Sequence, residues 1–223
     1  MDKERFKLGI IDEDESEVEE FFRFFEEVFE PIEIELVNDK QEIIQNIIDA
    51  QVDAVVIDYK LMEHGGSSLT FNGNELLQEL NNRLYNFPAF IMTNYPPDAR
   101  NHRIDPFRII SKEFMQPDEN DPKYKEGQEL IKTIKALIQN YKDDLKEKEE
   151  RLLDLIKKRK REGRLSDFEE EEMVELDTFL EKSIDMRSRL PKKWKRLGEI
   201  SKLDELIKDT QELVDELKRK KNE

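Results

Sequence analysis

Five polar residues in this chain stand where apolar runs end. Asp12 and Glu13 follow Phe6–Ile11, Asp58 follows Ala54-Val55-Val56-Ile57, Thr93 follows Pro88–Met92, and Lys112 follows Phe107–Ile110 by way of Ser111. The set holds three carboxylates, one hydroxyl and one amine. Three carboxylates crowded together repel one another and are partly protonated unless a cation joins them. Hard oxygen ligands that leave room for water suit Mg²⁺. A hydroxyl and an amine facing that cation suit a phosphoryl group. The chemistry implied is phosphoryl transfer onto a carboxylate, with Asp58 as the nucleophile.

Such a set works only if the apolar runs are neighbouring strands whose carboxyl ends share one edge, where open α/β sheets form their ligand crevice. The run before Asp58 is continuous and rich in β-branched residues, as expected of a strand buried on both faces. Between the runs lie helical patterns. Phe21, Phe22, Phe24, Phe25, Val28 and Phe29 make the first, with Pro31 expected to end it. Ile43, Ile44, Ile47 and Ile48 make the second, and Leu76, Leu77, Leu80 and Leu84 the third. Ile32, Ile34 and Leu36 alternate with Glu33 and Glu35, which reads as a half-exposed edge strand. Strands alternating with helices over about 120 residues indicate a doubly wound parallel α/β sheet.

Residues 5–124 resemble the receiver domain of two-component response regulators. The resemblance lies in Ile10-Ile11-Asp12-Glu13, Val56-Ile57-Asp58, Met92-Thr93 and Ile110-Ser111-Lys112, four motifs in order and at near-family spacing. It implies a flavodoxin-like, five-stranded parallel sheet between helices. It implies that Asp58 accepts phosphate from a histidine kinase or a phosphotransfer protein. It further implies that Asp12, Glu13, Asp58 and the Lys60 carbonyl hold Mg²⁺, while Thr93 and Lys112 bind the phosphoryl oxygens. The chain departs from the pattern in several places. Met62 and Glu113 replace prolines, Asn94 replaces a small residue, and Ile109 replaces the aromatic switch residue. The loop from Asp58 to Gly73 is long and contains His64-Gly65-Gly66-Ser67-Ser68. Pro96-Pro97 and Pro106 bracket only a short helix. Lys60 and Tyr95 flank the line along which water attacks an acyl phosphate, and are expected to slow that attack. His64 and His102 have no metal-binding partner at useful spacing and read as exposed loop residues.

The net charge is −16, and all of it falls in the first half. Residues 1–124 carry 12 Lys and Arg against 28 Asp and Glu, and residues 125–223 carry 26 of each. Such a first half repels nucleic acid. There is no Cys, which excludes a disulfide scaffold and suits a reducing compartment. Met1–Lys7 contains no signal-like apolar stretch, and no run reaches membrane-spanning length. A soluble cytoplasmic protein without a membrane contact is expected.

The charge shift and the linker-like Gln116–Pro122 place a boundary there, with a receiver at 1–122 and a helical domain at 123–223. In the second part, Ile131, Ile134, Ile138, Tyr141, Leu145, Lys148, Leu152 and Leu155 repeat at 3-4 spacing. They predict one long helix over about 124–161, stopped by Gly163. Ser166-Asp167-Phe168-Glu169 is a capping box that starts the next helix, carrying Phe168, Met173, Leu176, Leu180, Ile184 and Leu190. Ile200 to Leu217 repeats the pattern once more. An antiparallel bundle and a dimeric coiled coil both satisfy these stripes. The basic run Lys157–Arg161 is placed to pair with Glu169–Glu172 across the first turn. The Lys192-Lys193-Trp194-Lys195-Arg196 cluster is a second basic patch.

Three functions follow. The leading one is a phosphorelay response regulator, not an enzyme on a free substrate, whose residues 123–223 meet a downstream protein or a second copy. The second is a receiver-like scaffold that assembles a complex without phosphorylation. The third is a DNA-binding regulator using the basic clusters, which the neutral tail and acidic first half argue against.

Overall fold

The structure, a computed structural model, describes residues 5–62, 69–94, 96, 104–115 and 120–184. His64, His102, Tyr95, the Gly65–Ser68 stretch, the Lys192–Arg196 cluster and the final helical pattern lie outside these residues. The chain divides into two compact units, Met1–Glu147 and Lys148–Glu223.

The first unit holds strands β1 (Lys7–Ile11), β2 (Glu30–Glu33), β3 (Ala54–Asp58), β4 (Ala89–Thr93) and β5 (Ile109–Ser111). They form one sheet in the order β2-β1-β3-β4-β5. Every pairing is parallel. Helices α1 (Glu15–Phe25), α2 (Lys40–Asp49) and α3 (Gly73–Arg83) connect the strands, and α4 (Tyr124–Glu162) follows. This is the flavodoxin-like order.

Alternation along each strand feeds two cores. Val55, Ile57 and Ile91 face the side covered by α2 and α3, where Ile43, Ile44, Ile47, Leu76, Leu77 and Leu80 are buried. Val56, Phe90 and Met92 face the side covered by Phe21 and Phe25 of α1 and by Ile131, Ile134 and Ile138 of α4. A strand covered on both faces needs apolar residues at every position, which explains the unbroken runs. The aromatic side of α1 packs ring against ring, with centroids of Phe21 and Phe25 4.6 Å apart and those of Phe25 and Phe29 5.8 Å apart.

Two strand expectations need correction. Pro31 does not end α1, which stops at Phe25. Pro31 lies inside β2, opposite Leu8. The Glu30 and Ile34 N–H groups donate to Phe6 and Ile10, so strand alternation turns the Pro31 nitrogen away from β1. An edge strand tolerates a proline there because that side has no partner. Phe107 was expected in β5, but it lies in a 3₁₀ turn at Pro106–Arg108 and is 82% exposed. Asp105 caps that turn through its carboxylate and the Phe107 N–H, 3.0 Å away, and the strand starts only at Ile109.

In the first unit, α4 is also held through Lys142, whose ammonium meets Asp53 at 2.5 Å. The other oxygen of Asp53 accepts the Lys7 N–H at 2.8 Å. Tyr141 packs edge-on against Phe87 at 6.0 Å.

The second unit opens with the remainder of α4. Gly163 ends that helix at φ 77°, and its N–H donates to the Arg159 carbonyl, a left-handed cap that glycine adopts without steric cost. Helix α5 spans Asp167–Ile184. The expected capping box is present: the Ser166 N–H donates to Glu169 at 3.1 Å, and the Glu169 N–H donates to Ser166 Oγ at 3.3 Å. The chain returns antiparallel. Lys158 meets Glu169 at 2.6 Å, Arg151 meets Glu172 at 2.6 Å, and Lys148 lies 4.5 Å from the Phe179 ring centre. Leu155, Leu165 and Met173 form the buried apolar cluster of this hairpin. Phe168, expected on the apolar face, is 76% exposed. Phe168 stands five residues before Met173, a step that carries it well round the helix from the packed face. Among the described residues, no helix is long and apolar enough to cross a membrane.

Candidate phosphoacceptor site

The sheet order makes β1, β3, β4 and β5 consecutive neighbours, so their carboxyl ends deliver side chains to one edge. Asp58 is the last residue of β3 and pairs in register with Met92, next to Thr93. Thr93 is the last residue of β4 and pairs with Ser111, next to Lys112. Ile11 pairs with Ile57, so Asp12 continues β1 beside Asp58. Asp12, Asp58 and Thr93 are all buried.

Carboxylate oxygens of Asp12, Glu13 and Asp58 lie within 4.8 Å of one another. Lys112, at the start of a 3₁₀ turn after β5, reaches back over the sheet edge. Its ammonium sits 2.8 Å from Asp58 Oδ1, 3.0 Å from Asp12 Oδ2 and 3.4 Å from Glu17 Oε2. The second oxygen of Asp58 accepts the Lys60 N–H at 2.6 Å. The second oxygen of Asp12 accepts the Asp14 N–H at 3.0 Å. Asp14 in turn caps α1 by accepting the Ser16 N–H at 2.9 Å. The turn from β1 into α1 therefore orients the acidic pair.

These contacts have electrostatic consequences. Burial, then the Asp58 carboxylate, pushes the Asp12 carboxyl up to about 6, against the pull of Lys112. Burial by itself would lower the pKa of the Lys112 ammonium, but Asp58 and Asp12 outweigh it and the net shift is upward. Lys112 is therefore a fixed cation. One cation among several carboxylates leaves net negative charge, and three hard oxygen donors so close together fit a small divalent ion.

The first unit has the flavodoxin-like fold, with five parallel strands in the order β2-β1-β3-β4-β5. No known family model matches the chain. No curated protein matches it either. Among solved structures, the anti-anti-sigma factor PhyR from Bartonella quintana is similar at 11% identity and a TM-score of 0.45, over 66% of this chain and 52% of that one. The signal receiver domain of a putative LuxO repressor protein from Vibrio parahaemolyticus is similar at 10% identity and a TM-score of 0.39, over 61% of this chain and 95% of that one. A fusion carrying a yeast trimeric coiled coil is similar at 12% identity and a TM-score of 0.43, over 65% of this chain and 84% of that one.

The structure brings together Asp12, Glu13, Asp58 and Lys112 through side chains, and Lys60 through its backbone N–H. Thr93 stands at the same edge through its strand position. Two residues of the site were not singled out from the sequence. Glu17 was hidden among the seven acids between Asp12 and Glu20. Its signal was its offset: with a short turn after Asp12, position 17 falls in the first turn of α1, over the strand ends. Gly73 was hidden behind the long loop. A Cβ there would lie 1.9 Å from the Asp58 carbonyl oxygen, so only glycine lets α3 begin against the end of β3.

Proposed function

We propose that the chain is a receiver-type regulator that accepts a phosphoryl group on Asp58 and passes the signal on through residues 123–223. The observation that carries this reading is the Asp58 carboxylate at the end of β3, clustered with Asp12 and Glu13 and held by Lys112. The donor is a phosphohistidine on a histidine kinase or phosphotransfer protein. An Asp58 oxygen forms a bond to phosphorus as the donor's P–N bond breaks, and the electron pair leaves on the imidazole. Asp12, Glu13 and Asp58, with the Lys60 carbonyl, would hold Mg²⁺, which when bound would draw charge from the phosphoryl oxygens. Lys112 would exchange its Asp58 contact for a phosphoryl oxygen, and Thr93 would donate its hydroxyl to another. The chain then serves as acceptor and switch rather than as an enzyme on a free substrate.

The test is the intact mass of wild type and Asp58→Asn after incubation with Mg²⁺ and phosphoramidate, followed by light scattering on the same samples. The expected outcome is one phosphate on wild type and none on Asp58→Asn. A change in scattering mass would assign the output to a second copy through the helices. An unphosphorylated wild type, with a cognate donor as well, would favour the scaffold reading instead.

A further inference from the structure

Glu17 is the feature of this site that the phosphoacceptor reading leaves unused. Lys112 has three N–H groups and three carboxylate neighbours. Asp12 and Asp58 lie at the floor, where their side chains are 1% and 9% exposed, and Glu17 lies at the rim with 24% exposed. Glu17 is thus the outermost of the three. It reaches Lys112 from α1, an element that carries none of the other site residues. When Asp58 becomes an acyl phosphate, Lys112 must turn toward the new oxygens, and Glu17 is the contact that draws its ammonium toward the rim.

Charge makes the second half of the argument. A divalent cation and Lys112 together balance Asp12, Glu13 and Asp58. Glu17 then leaves the loaded site with one extra negative charge at its opening. A small free phosphodonor such as acetyl phosphate arrives with its own negative charges and nothing to offset them. A phosphohistidine on a protein arrives with a docking surface whose contacts offset the repulsion.

We propose that Glu17 is a positioning and selectivity residue: it holds Lys112 from the solvent side and disfavours small anionic phosphodonors relative to protein-borne phosphohistidine. The proposal rests on the phosphoacceptor reading of Asp58. Its test compares wild type, Glu17→Gln and Glu17→Asp in the full chain. One readout is Mn²⁺ binding by electron paramagnetic resonance, which needs no phosphorylation. The other is the rate of acetyl phosphate uptake at saturating Mg²⁺, read by intact mass. Glu17→Gln is expected to gain phosphate about fivefold faster at low salt and to bind Mn²⁺ more weakly. The rate difference should shrink toward none at about 0.5 M salt, where exposed charges are screened. Glu17→Asp keeps the charge and should stay near the wild-type rate, which separates charge from packing. Equal rates for wild type and Glu17→Gln at low salt would overturn the proposal, as would a slower Glu17→Gln. A wild type that neither binds Mn²⁺ nor takes phosphate would remove the phosphoacceptor reading itself, and this inference with it. Circular dichroism on each variant establishes that the fold is retained.

Discussion

Gly73 and Asp58 meet backbone to backbone. A Cβ on Gly73 would lie 1.9 Å from the Asp58 carbonyl oxygen and 2.9 Å from its carbonyl carbon. The Gly73 N–H also donates to the neighbouring Tyr59 carbonyl at 3.1 Å. The first residue of α3 is therefore packed directly on the strand end that presents the Asp58 carboxylate.

Gly73→Ala is expected to lower stability by about 1–3 kcal/mol, the usual cost of forcing extra volume into a packed site. The obstacle is backbone, which cannot swing aside as a flexible side chain can. The displacement falls on Asp58, so phosphate uptake should drop as well. Denaturant melts and intact-mass kinetics on the same variant read both effects. An unchanged midpoint would show that α3 can shift freely.

Mg²⁺ should stabilise the wild-type fold. A ligand that binds only the native state adds about 2.7 kcal/mol at a hundred times its dissociation constant. The cluster of Asp12, Glu13 and Asp58 would hold the ion, so Asp12→Asn should largely abolish the gain. Thermal melts with and without Mg²⁺ measure it. A gain retained in full by Asp12→Asn would place the ion elsewhere.

Ile134 is fully buried in the core beneath α1 and the sheet. Ile134→Ala should cost about 2–5 kcal/mol. Because its contacts are within the core of the first unit, light scattering should give the same mass as wild type under native conditions. A mass change without loss of stability would assign this part of the stripe to a dimer seam.

Glu169 is held well down, at about 2, chiefly by its hydrogen bond from Lys158 and then by the Ser166 N–H. A lowered carboxyl pKa supports the fold above the ordinary Glu value and loses that support as pH falls through the folded one. The hairpin contribution of this group is thus intact above about 4.5 and fades toward 2. Glu169 is half-buried at the protein surface, where solvent screens the pair, so the effect on stability is small. A carbon-13 titration of the Glu169 carboxyl should give a midpoint far below the ordinary value, and Lys158→Ala should raise it. An ordinary midpoint in wild type would show that the pair does not persist in solution.

The basic run at Lys157–Arg161 was expected to meet the acids of α5, and Lys158 does so. Arg151, outside that run, supplies the second pair, with Glu172. Helical periodicity predicts that two helices face each other, but not which of several charged residues at the rim become partners. Phe168 was grouped with the apolar stripe, yet its five-residue step to Met173 turns it off the face that packs, and it is exposed. Pro31 shows the gap for strands. A proline after a helical pattern reads as a stop, and only the pairing partner reveals an edge strand whose outer nitrogen needs no acceptor.

Local sequence pattern sufficed for the alternation of strands and helices, the capping of α5, the end of α4 at Gly163, and the five polar residues at strand ends. These are local properties: burial on both faces demands unbroken apolar runs, and a turn demands residues that close it. Packing in three dimensions set whatever depends on distances between distant parts of the chain. It brought Lys112 to Asp58 and Asp12, added Glu17 from α1, set Gly73 against the Asp58 carbonyl, and buried Ile131, Ile134 and Ile138 against the sheet of the first unit. Spacing along the chain cannot fix such contacts, because each depends on how the sheet and helices pack in three dimensions.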